Sequence, residues 1–337
     1  MNNLISPRLM KVIAAISCIF SALFASQADT IRTQSISLHK GWNAVYLQVD
    51  PTNSKPAACF QGTPVSIAAS YIGDSTTVQY VQNPSTNSIN KDNGWAVWYS
   101  PDRPDAFLTQ IFSLNANNAY LLYAKSDCVW SVTGTAVLPA IKWKPNSFTL
   151  AGFCLDDVSP PTFSQFFSGS PAHQPCRIYR LVNDQWILLS SPSGTQMSSG
   201  EACWIYCNGG SDYQGPLDVK PQDGRGVLIG GVSQSGVLLA NKTANPLNVT
   251  VASSADSAAL PLAYVLRAIT DTNVVSAEFD LPATYNMPVF DANESRGFWL
   301  TLRPERMTAT NATTLLKITT DIGTQTWLPV TGNRSAL

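Results

Sequence analysis

The residues of this 337-residue chain that could do chemistry are few: two histidines, seven cysteines and scattered carboxylates. Acid/base work on a glycosidic bond needs two carboxyl groups flanking it, about 5 to 9.5 Å apart. Asp156 and Asp157 are the tempting pair, but neighbours on a strand point to opposite faces. They read instead as a solvated strand end, matching Asp50-Pro51 earlier in the chain. Neither His39 nor His173 lies in His-Glu-x-x-His or beside a suitably spaced cysteine pair, so zinc has no recognisable site. Both read as satisfied loop histidines. Gly231-Val232-Ser233-Gln234-Ser235-Gly236 has the wrong spacing for a nucleophile elbow, and no phosphate loop or dinucleotide fingerprint occurs. In Asn90-Lys91-Asp92-Asn93-Gly94, Lys91 occupies what would be a calcium-ligand position and no glutamate follows at the needed spacing. No catalytic residue, metal or cofactor is therefore expected. The competing expectation is a hydrolase of extracellular polysaccharide or envelope polymer, working through carboxylates scattered across domains.

The aromatic residues carry the remaining chemical hint. Trp42, Trp95, Trp130, Trp186 and Trp204 fall on strand-like runs, where core packing is the default for tryptophan. Trp98 and Tyr99 stand beside Pro101-Asp102-Arg103-Pro104. Exposed rings with Asp102 and Arg103 nearby would suit sugar stacking or a protein partner, so these four residues are the ligand-binding candidates.

A chain with such residues needs elements to position them, and its beginning says where it would work. Arg8 and Lys11 precede an uncharged apolar run, Val12 to Phe24, and Ser26-Gln27-Ala28 follows with small residues. This is the pattern of a cleaved export signal, with cleavage after Ala28. The run is too short for the roughly 20 residues that span a bilayer. Ala15-Ile16-Ser17-Cys18 offers a lipoprotein box as the alternative. The mature chain is expected to be secreted or held in the cell envelope, without a transmembrane segment. The formal charge is −1 with no basic cluster, which gives nucleic acid no electrostatic footprint.

Beyond Cys18 the cysteines are Cys59, Cys128, Cys154, Cys176, Cys203 and Cys207. In an oxidising compartment an even number is compatible with disulfides, and buried free thiols are the other possibility. Pairing within modules is expected: Cys59 with Cys128, and the other four among themselves. Cys203 and Cys207 are about 13 Å apart along an extended strand, too far to bond each other.

A repeat organises the first two thirds. Ala58-Cys59-Phe60-Gln61-Gly62-Thr63-Pro64 matches Gln165-Phe166-Phe167-Ser168-Gly169-Ser170-Pro171. Further on, Trp95 to Pro101 matches Trp186 to Pro192, and Ala119 to Tyr123 matches Ala202 to Tyr206. Each copy reads as an opening strand, a proline-started helical turn, a Trp-led strand and an Ala-led strand. Copy 1 alone has the polar stretch Gln82 to Asn93 and a segment whose Phe107, Leu108, Ile111 and Phe112 have helical spacing. Function specific to one copy would live there.

The last third loses its cysteines and gains threonine, valine and asparagine. Eight short strand candidates recur between Gly226 and Val330, with Leu247, Val249 and Val251 alternating with polar residues. That spacing argues for a sandwich. The expected division is 1–28 leader, 29–141 copy 1, 142–221 copy 2 and 222–337 immunoglobulin-like β-sandwich. Boundaries fall near Ala140 to Pro145 and Pro221 to Arg225.

Gly41-Trp42-Asn43-Ala44-Val45-Tyr46-Leu47 with Val49-Asp50-Pro51 resembles the "GWN" opening of exported bacterial modular surface proteins. The resemblance covers residues 36–221 and is clearest in copy 1, since copy 2 has Asn146-Ser147-Phe148 at that place. Asn245 to Val251, Phe298 to Leu302 and Thr326 to Val330 resemble immunoglobulin-like domains of bacterial envelope proteins. These resemblances imply an exported modular protein and no particular activity. The leading expectation is a non-catalytic structural or recognition protein for adhesion or carbohydrate contact, with an extracellular glycan or surface protein as partner. An architectural spacer is the third.

Overall fold

The computed structural model describes residues 30–73, 80–87, 89, 93–230, 234–253, 260–269 and 274–334. The leader and its cleavage site, most of the Asn90-Gly94 run and Gly231–Ser233 lie outside them. The chain is mostly β.

Copy 1 supplies seven strands: β1 (Ile31–Leu38), β2 (Gly41–Leu47), β3 (Val49–Pro51), β4 (Val65–Tyr71), β5 (Trp95–Tyr99), β6 (Asn118–Ala124) and β7 (Cys128–Ala136). They form two sheets, β1-β7-β3 and β2-β6-β4-β5. Copy 2 supplies β8 (Ser147–Gly152), β9 (Ile178–Val182), β10 (Gln185–Leu188) and β11 (Ala202–Cys207), in the order β8-β11-β9-β10. Numbered within each copy, the two four-stranded sheets share one order: opening strand, last strand, second strand, Trp-led strand. A one-turn helix follows the opening strand in both, Pro56–Cys59 and Phe163–Phe166. Thr162 caps the second helix in a reciprocal box with Gln165, while Lys55 caps the first without a side-chain bond. The duplication is therefore a property of the fold. Its second strands, β4 and β9, were not evident in the sequence.

The sheet β2-β6-β4-β5 is the middle of three layers. Alternate residues along its strands reach opposite faces. Ala44, Tyr46, Ala69, Trp95, Val97 and Leu121 face the copy-2 sheet and share its core with Phe148 and Trp204. Val45, Leu47, Ala68, Trp98, Tyr120 and Leu122 face β1-β7-β3, where Leu38, Trp130 and Val132 close a second core. Trp204 joins the copies, its ring centroid 5.2 Å from Tyr71 and 6.3 Å from Trp95. The division at 141/142 thus separates repeats in the chain but not hydrophobic cores. The linker itself is part of the core, because Trp143 is 7% exposed and donates its Nε1–H to the Tyr213 carbonyl at 2.5 Å.

The remaining strands are β12 (Leu217–Pro221), β13 (Val227–Ile229), β14 (Gln234–Asn241), β15 (Val249–Ser253), β16 (Leu262–Ile269), β17 (Val274–Asp280), β18 (Thr284–Asn286), β19 (Ser295–Leu302), β20 (Asn311–Thr320) and β21 (Gln325–Asn333). They build a β-sandwich from sheets β12-β14-β19-β16-β17 and β13-β21-β20-β15-β18 around one core. All eight strand candidates are strands. The boundary near 221/222 is corrected, because β12 pairs with β14 and its Leu217 belongs to the sandwich core. The sandwich begins at Leu217, and Pro221 ends a strand instead of starting a linker.

The sandwich is docked on the copies. Asp156 N–H donates to the Gly323 carbonyl at 2.9 Å, Gln325 N–H to the Cys154 carbonyl at 3.1 Å, and the Arg32 guanidinium lies 5.2 Å from the Trp327 ring centroid. Among the described residues no helix is long and apolar enough to cross a membrane.

Candidate functional site

Of the candidates, Tyr99, Asp102 and Arg103 share one loop region while Trp98 faces the other side of the sheet, and the chemistry of all four is consumed within the chain. Trp98 is 6% exposed, packed on Phe60 at 5.1 Å, so it offers no face to a sugar. Its burial follows from the sheet being covered on both sides, which no local feature of Trp95-Ala96-Val97-Trp98 announces. Arg103 lies over the Tyr99 ring and forks onto Asp105 at 2.8 Å. Asp102 accepts from the Ser100 hydroxyl and from Lys125 Nζ at 3.0 Å, which together lower its pKa to about 2. These residues staple a loop.

The six cysteines are free thiols, and the pairing expected within modules is not made. Each of the copy-2 cysteines is engaged in different surroundings. Cys203 is buried in the copy-2 sheet beside its cross-strand partner Ala151, and Cys207 donates to the Gly209 carbonyl. Cys176 bonds Gln174, and Cys154 sits by Arg32 and Trp327 at the sandwich. Cys59 donates to the Asn53 carbonyl at 2.9 Å. Burial pushes the Cys59 thiol up to about 11, so it is inert as a nucleophile at neutral pH.

The histidines part company. His39 is exposed between β1 and β2, as a loop histidine should be. His173 is instead 1% exposed, caged by Trp143 at 4.3 Å and Phe167 at 4.7 Å. Ser170 Oγ meets its Nδ1 at 2.6 Å and Nε2 has no partner among the described residues. Desolvation lowers its pKa to about 4, so it is neutral at physiological pH.

The GWN run has a mechanical role. Asn43 Nδ2 donates to the carbonyls of His39 at 2.8 Å and Gly41 at 3.1 Å, and its Oδ1 accepts the His39 N–H. Gly41 has φ +104°, and a Cβ there would meet Asp184 Oδ1 at 2.8 Å. That same oxygen accepts the Trp42 N–H at 2.7 Å. The motif closes the β1–β2 turn and ties copy 1 to the β9–β10 turn of copy 2.

Two open sites lie along the joint between the copies. The first is a groove of about 530 Å³ that gathers His39, Trp42, Asp156, Asp157, Arg180 and Glu201. Here the structure assembles the dismissed carboxylates. Asp156 Oδ1 accepts the N–H groups of Val158 at 2.8 Å and Ser159 at 3.1 Å, which lowers its pKa. Glu201 is gripped by the Arg180 fork, with Nη2 to Oε2 at 2.6 Å. A carboxylate held as Asp156 is accepts hydrogen bonds and is a poor proton donor.

The second is a cleft of about 590 Å³, within the usual range for ligand sites. One wall is the loop Thr109–Asn117, which only copy 1 possesses. The helical spacing of Phe107 to Phe112 does not produce a helix there. A single 3-10 turn, Ala106–Leu108, is followed by extended chain, because Ile111 and Leu114 are drawn into the core as anchors. The Gln110 N–H donates to Val97, Leu114 to Ser54 and Asn117 to Leu47 carbonyls, at 2.7, 2.7 and 2.8 Å. Phe112, caught between the anchors, is 75% exposed and lines the cleft. The other wall is the linker Ala140–Lys144, held by Gln214 on both the N–H and the carbonyl of Ile141. Asn117 ties wall to wall, accepting from Tyr46 Oη at 3.1 Å and donating to the Leu138 carbonyl at 3.0 Å. Burial raises Tyr46 well above the usual phenol range and Tyr120 to about 12, so both stay protonated. The cleft thus offers an exposed ring, side-chain amides and hydroxyls, and is lined by Lys142 and Lys144, with no carboxylate among the described residues of its lining.

No protein-family model matches the chain, and no curated protein matches it. Among solved structures, the ASH/PapD-like domain of human CEP192 (PapD-like domain 7) aligns at 11% identity and a TM-score of 0.23. The alignment covers 35% of this chain and 84% of that domain.

Proposed function

We propose that the chain is an exported, non-catalytic recognition protein, secreted or held in the cell envelope, whose inter-copy cleft holds an extracellular glycan. The observation that carries this reading is Phe112. The backbone on either side of it is anchored by Ile111 and Leu114, so the exposed ring is presented at a fixed place on the cleft and the loop need not be ordered on binding. Around it the amides of Gln110, Asn115 and Asn118 supply the directional partners that sugar hydroxyls need. The export pattern before Ala28 and the GWN resemblance support the extracellular setting.

Glycan-array screening of the mature chain, followed by calorimetry on any hit, tests the reading. Phe112→Ala is expected to weaken binding at least about tenfold, or about 1.4 kcal/mol. Phe107→Ala, on the neighbouring turn outside the cleft, should leave it unchanged. Equal affinity of wild type and Phe112→Ala overturns the assignment. The hydrolase alternative requires a proton donor, whereas Asp156 is held towards its ionised form and Glu201 is occupied by the Arg180 fork. Polymer cleavage abolished by Asp157→Asn would establish that alternative.

A further inference from the structure

The exposed edge of the C-terminal sandwich carries an inference independent of the cleft. β17 is the last strand of its sheet, and every residue from Val275 to Asp280 is exposed. Its partner β16 pairs with β19 only from Leu262 to Val265, whereas β16 and β17 stay paired as far as Ile269 and Val274. The two strands therefore project from the sandwich as a ribbon. A ribbon of two strands is marginally stable in water, and its open edge presents unpaired backbone N–H and C=O groups.

The faces of the ribbon differ. Tyr264 lies opposite Phe279 and Leu266 opposite Ala277, so Tyr264, Leu266, Val275, Ala277 and Phe279 share one face. Tyr264 stacks on Phe279 at 5.6 Å and reaches Tyr285 at 4.4 Å, which identifies this as the core side. Yet Leu266 is 46%, Val275 55% and Phe279 46% exposed, because the opposing sheet ends short of them. Chains usually guard such an edge with charge. Here the guards are already neutralised on the other face: Glu278 and Asp280 each bind Arg303 at 2.9 Å, and Asp280 binds Arg306 at 2.6 Å.

We propose that this edge pairs with a second copy of the chain, β17 against β17, antiparallel about a two-fold axis at Ala277. Such an interface is self-complementary. It sets Val275 of one copy opposite Phe279 of the other and keeps the apolar residues on one continuous face. On the polar face it puts Glu278 opposite the partner's Ser276, whose own cross-strand neighbour is Arg267. Each such row then holds one acid and one base separated by a small residue, which favours this register over a shifted one.

Sedimentation velocity of the mature chain from about 1 to 100 μM, the range of weak specific contacts, should show monomer converting to dimer. Val275→Lys, which places a charge against the partner's Phe279, should remain monomeric at the same concentrations and melt at the wild-type temperature. The register has its own test. In Ala277→Cys the two equivalent positions lie about 4.5 to 5.5 Å apart, within disulfide reach, and mild oxidation should give a covalent dimer. In Val275→Cys they are four residues out of step, about 13 Å, and should not bond. A chain that stays monomeric throughout overturns the proposal. So does a dimer indifferent to Val275→Lys, or cross-linking equal at both cysteine positions.

Discussion

Copy 1 and copy 2 repeat one four-stranded order but cover their outer faces with different material. Copy 1 carries a whole extra sheet, β1-β7-β3, against Phe60 and Trp98. Copy 2 covers the same face with the side chains of its helix, its linker and a turn: Phe163, Phe166, Phe167, Trp143, His173 and Tyr213. Phe60 and Phe167 occupy matched positions as the residue ending each helix, and both are buried. The helix end is therefore the fixed feature of the module and the cover is the variable one. With copy 1 apolar on both faces, its second core freed the loop Thr109–Asn117 to be anchored from below. That anchoring is what leaves Phe112 outside.

The comparison predicts one unfolding event for both copies, and Trp204 is the place to break it. Its ring, fully buried, touches Tyr71 and Trp95 of copy 1 and Trp186 of copy 2. Trp204→Ala should cost about 3 to 5 kcal/mol in urea unfolding of the mature chain. Fluorescence and far-UV circular dichroism should follow the same transition. Two separated transitions for residues of the two copies would show that the sheets merely touch.

His173 gives the next largest effect and belongs to copy 2 alone. Two residues beyond the matched prolines, copy 1 has Ser66, also buried and without a partner for its hydroxyl among the described residues, but unable to titrate. The unfolded chain binds a proton at His173 near its ordinary value of 6.5, whereas the folded cage resists until about 4. Stability is then complete above pH 6.5 and falls as pH drops through that window, by at most about 3 kcal/mol. Unfolding free energies measured from pH 7 to 4 should show that slope. The double variant Ser170→Ala/His173→Phe, which removes the proton and leaves no orphaned hydroxyl, should be flatter. An unchanged slope would assign the acid sensitivity to carboxylates elsewhere.

Much of the architecture was legible because it rests on local signals. Val249 and Val251 alternate with Thr250 in a strand buried on one side, and Pro161 before Phe163 marks a helical turn. What was not legible depends on partners distant in sequence. β4, Val-Ser-Ile-Ala-Ala-Ser-Tyr, has small residues because the two cores squeeze it from both faces, and Ala68 and Ala69 are fully buried. Without those faces it reads as a polar connector. β12 looked like the end of copy 2 because its partner β14 lies further along the chain. Trp98 was misread for the same reason. Asp156 and Asp157 read as a solvated strand end, and their meeting with Arg180, Glu201 and His39 in one groove needed the sheet.

The smallest effect separates exposure with a purpose from packing. Phe107 is 82% and Phe112 75% exposed, both on the segment that copy 2 lacks. Phe107→Ser and Phe112→Ser should each change stability by less than about 0.5 kcal/mol, since neither ring is in a core. Ile111, between them in sequence, is 7% exposed, and Ile111→Ala should cost about 2 to 5 kcal/mol. Thermal melts of the three variants side by side give the contrast, because the loop is identical apart from one side chain. If Phe112→Ser destabilised the chain as much as Ile111→Ala, the ring would be closing the cleft as packing and could not be reserved for a ligand. If all three were neutral, Ile111 would not anchor the loop, and Phe112 would lose the rigidity on which its role in the cleft depends.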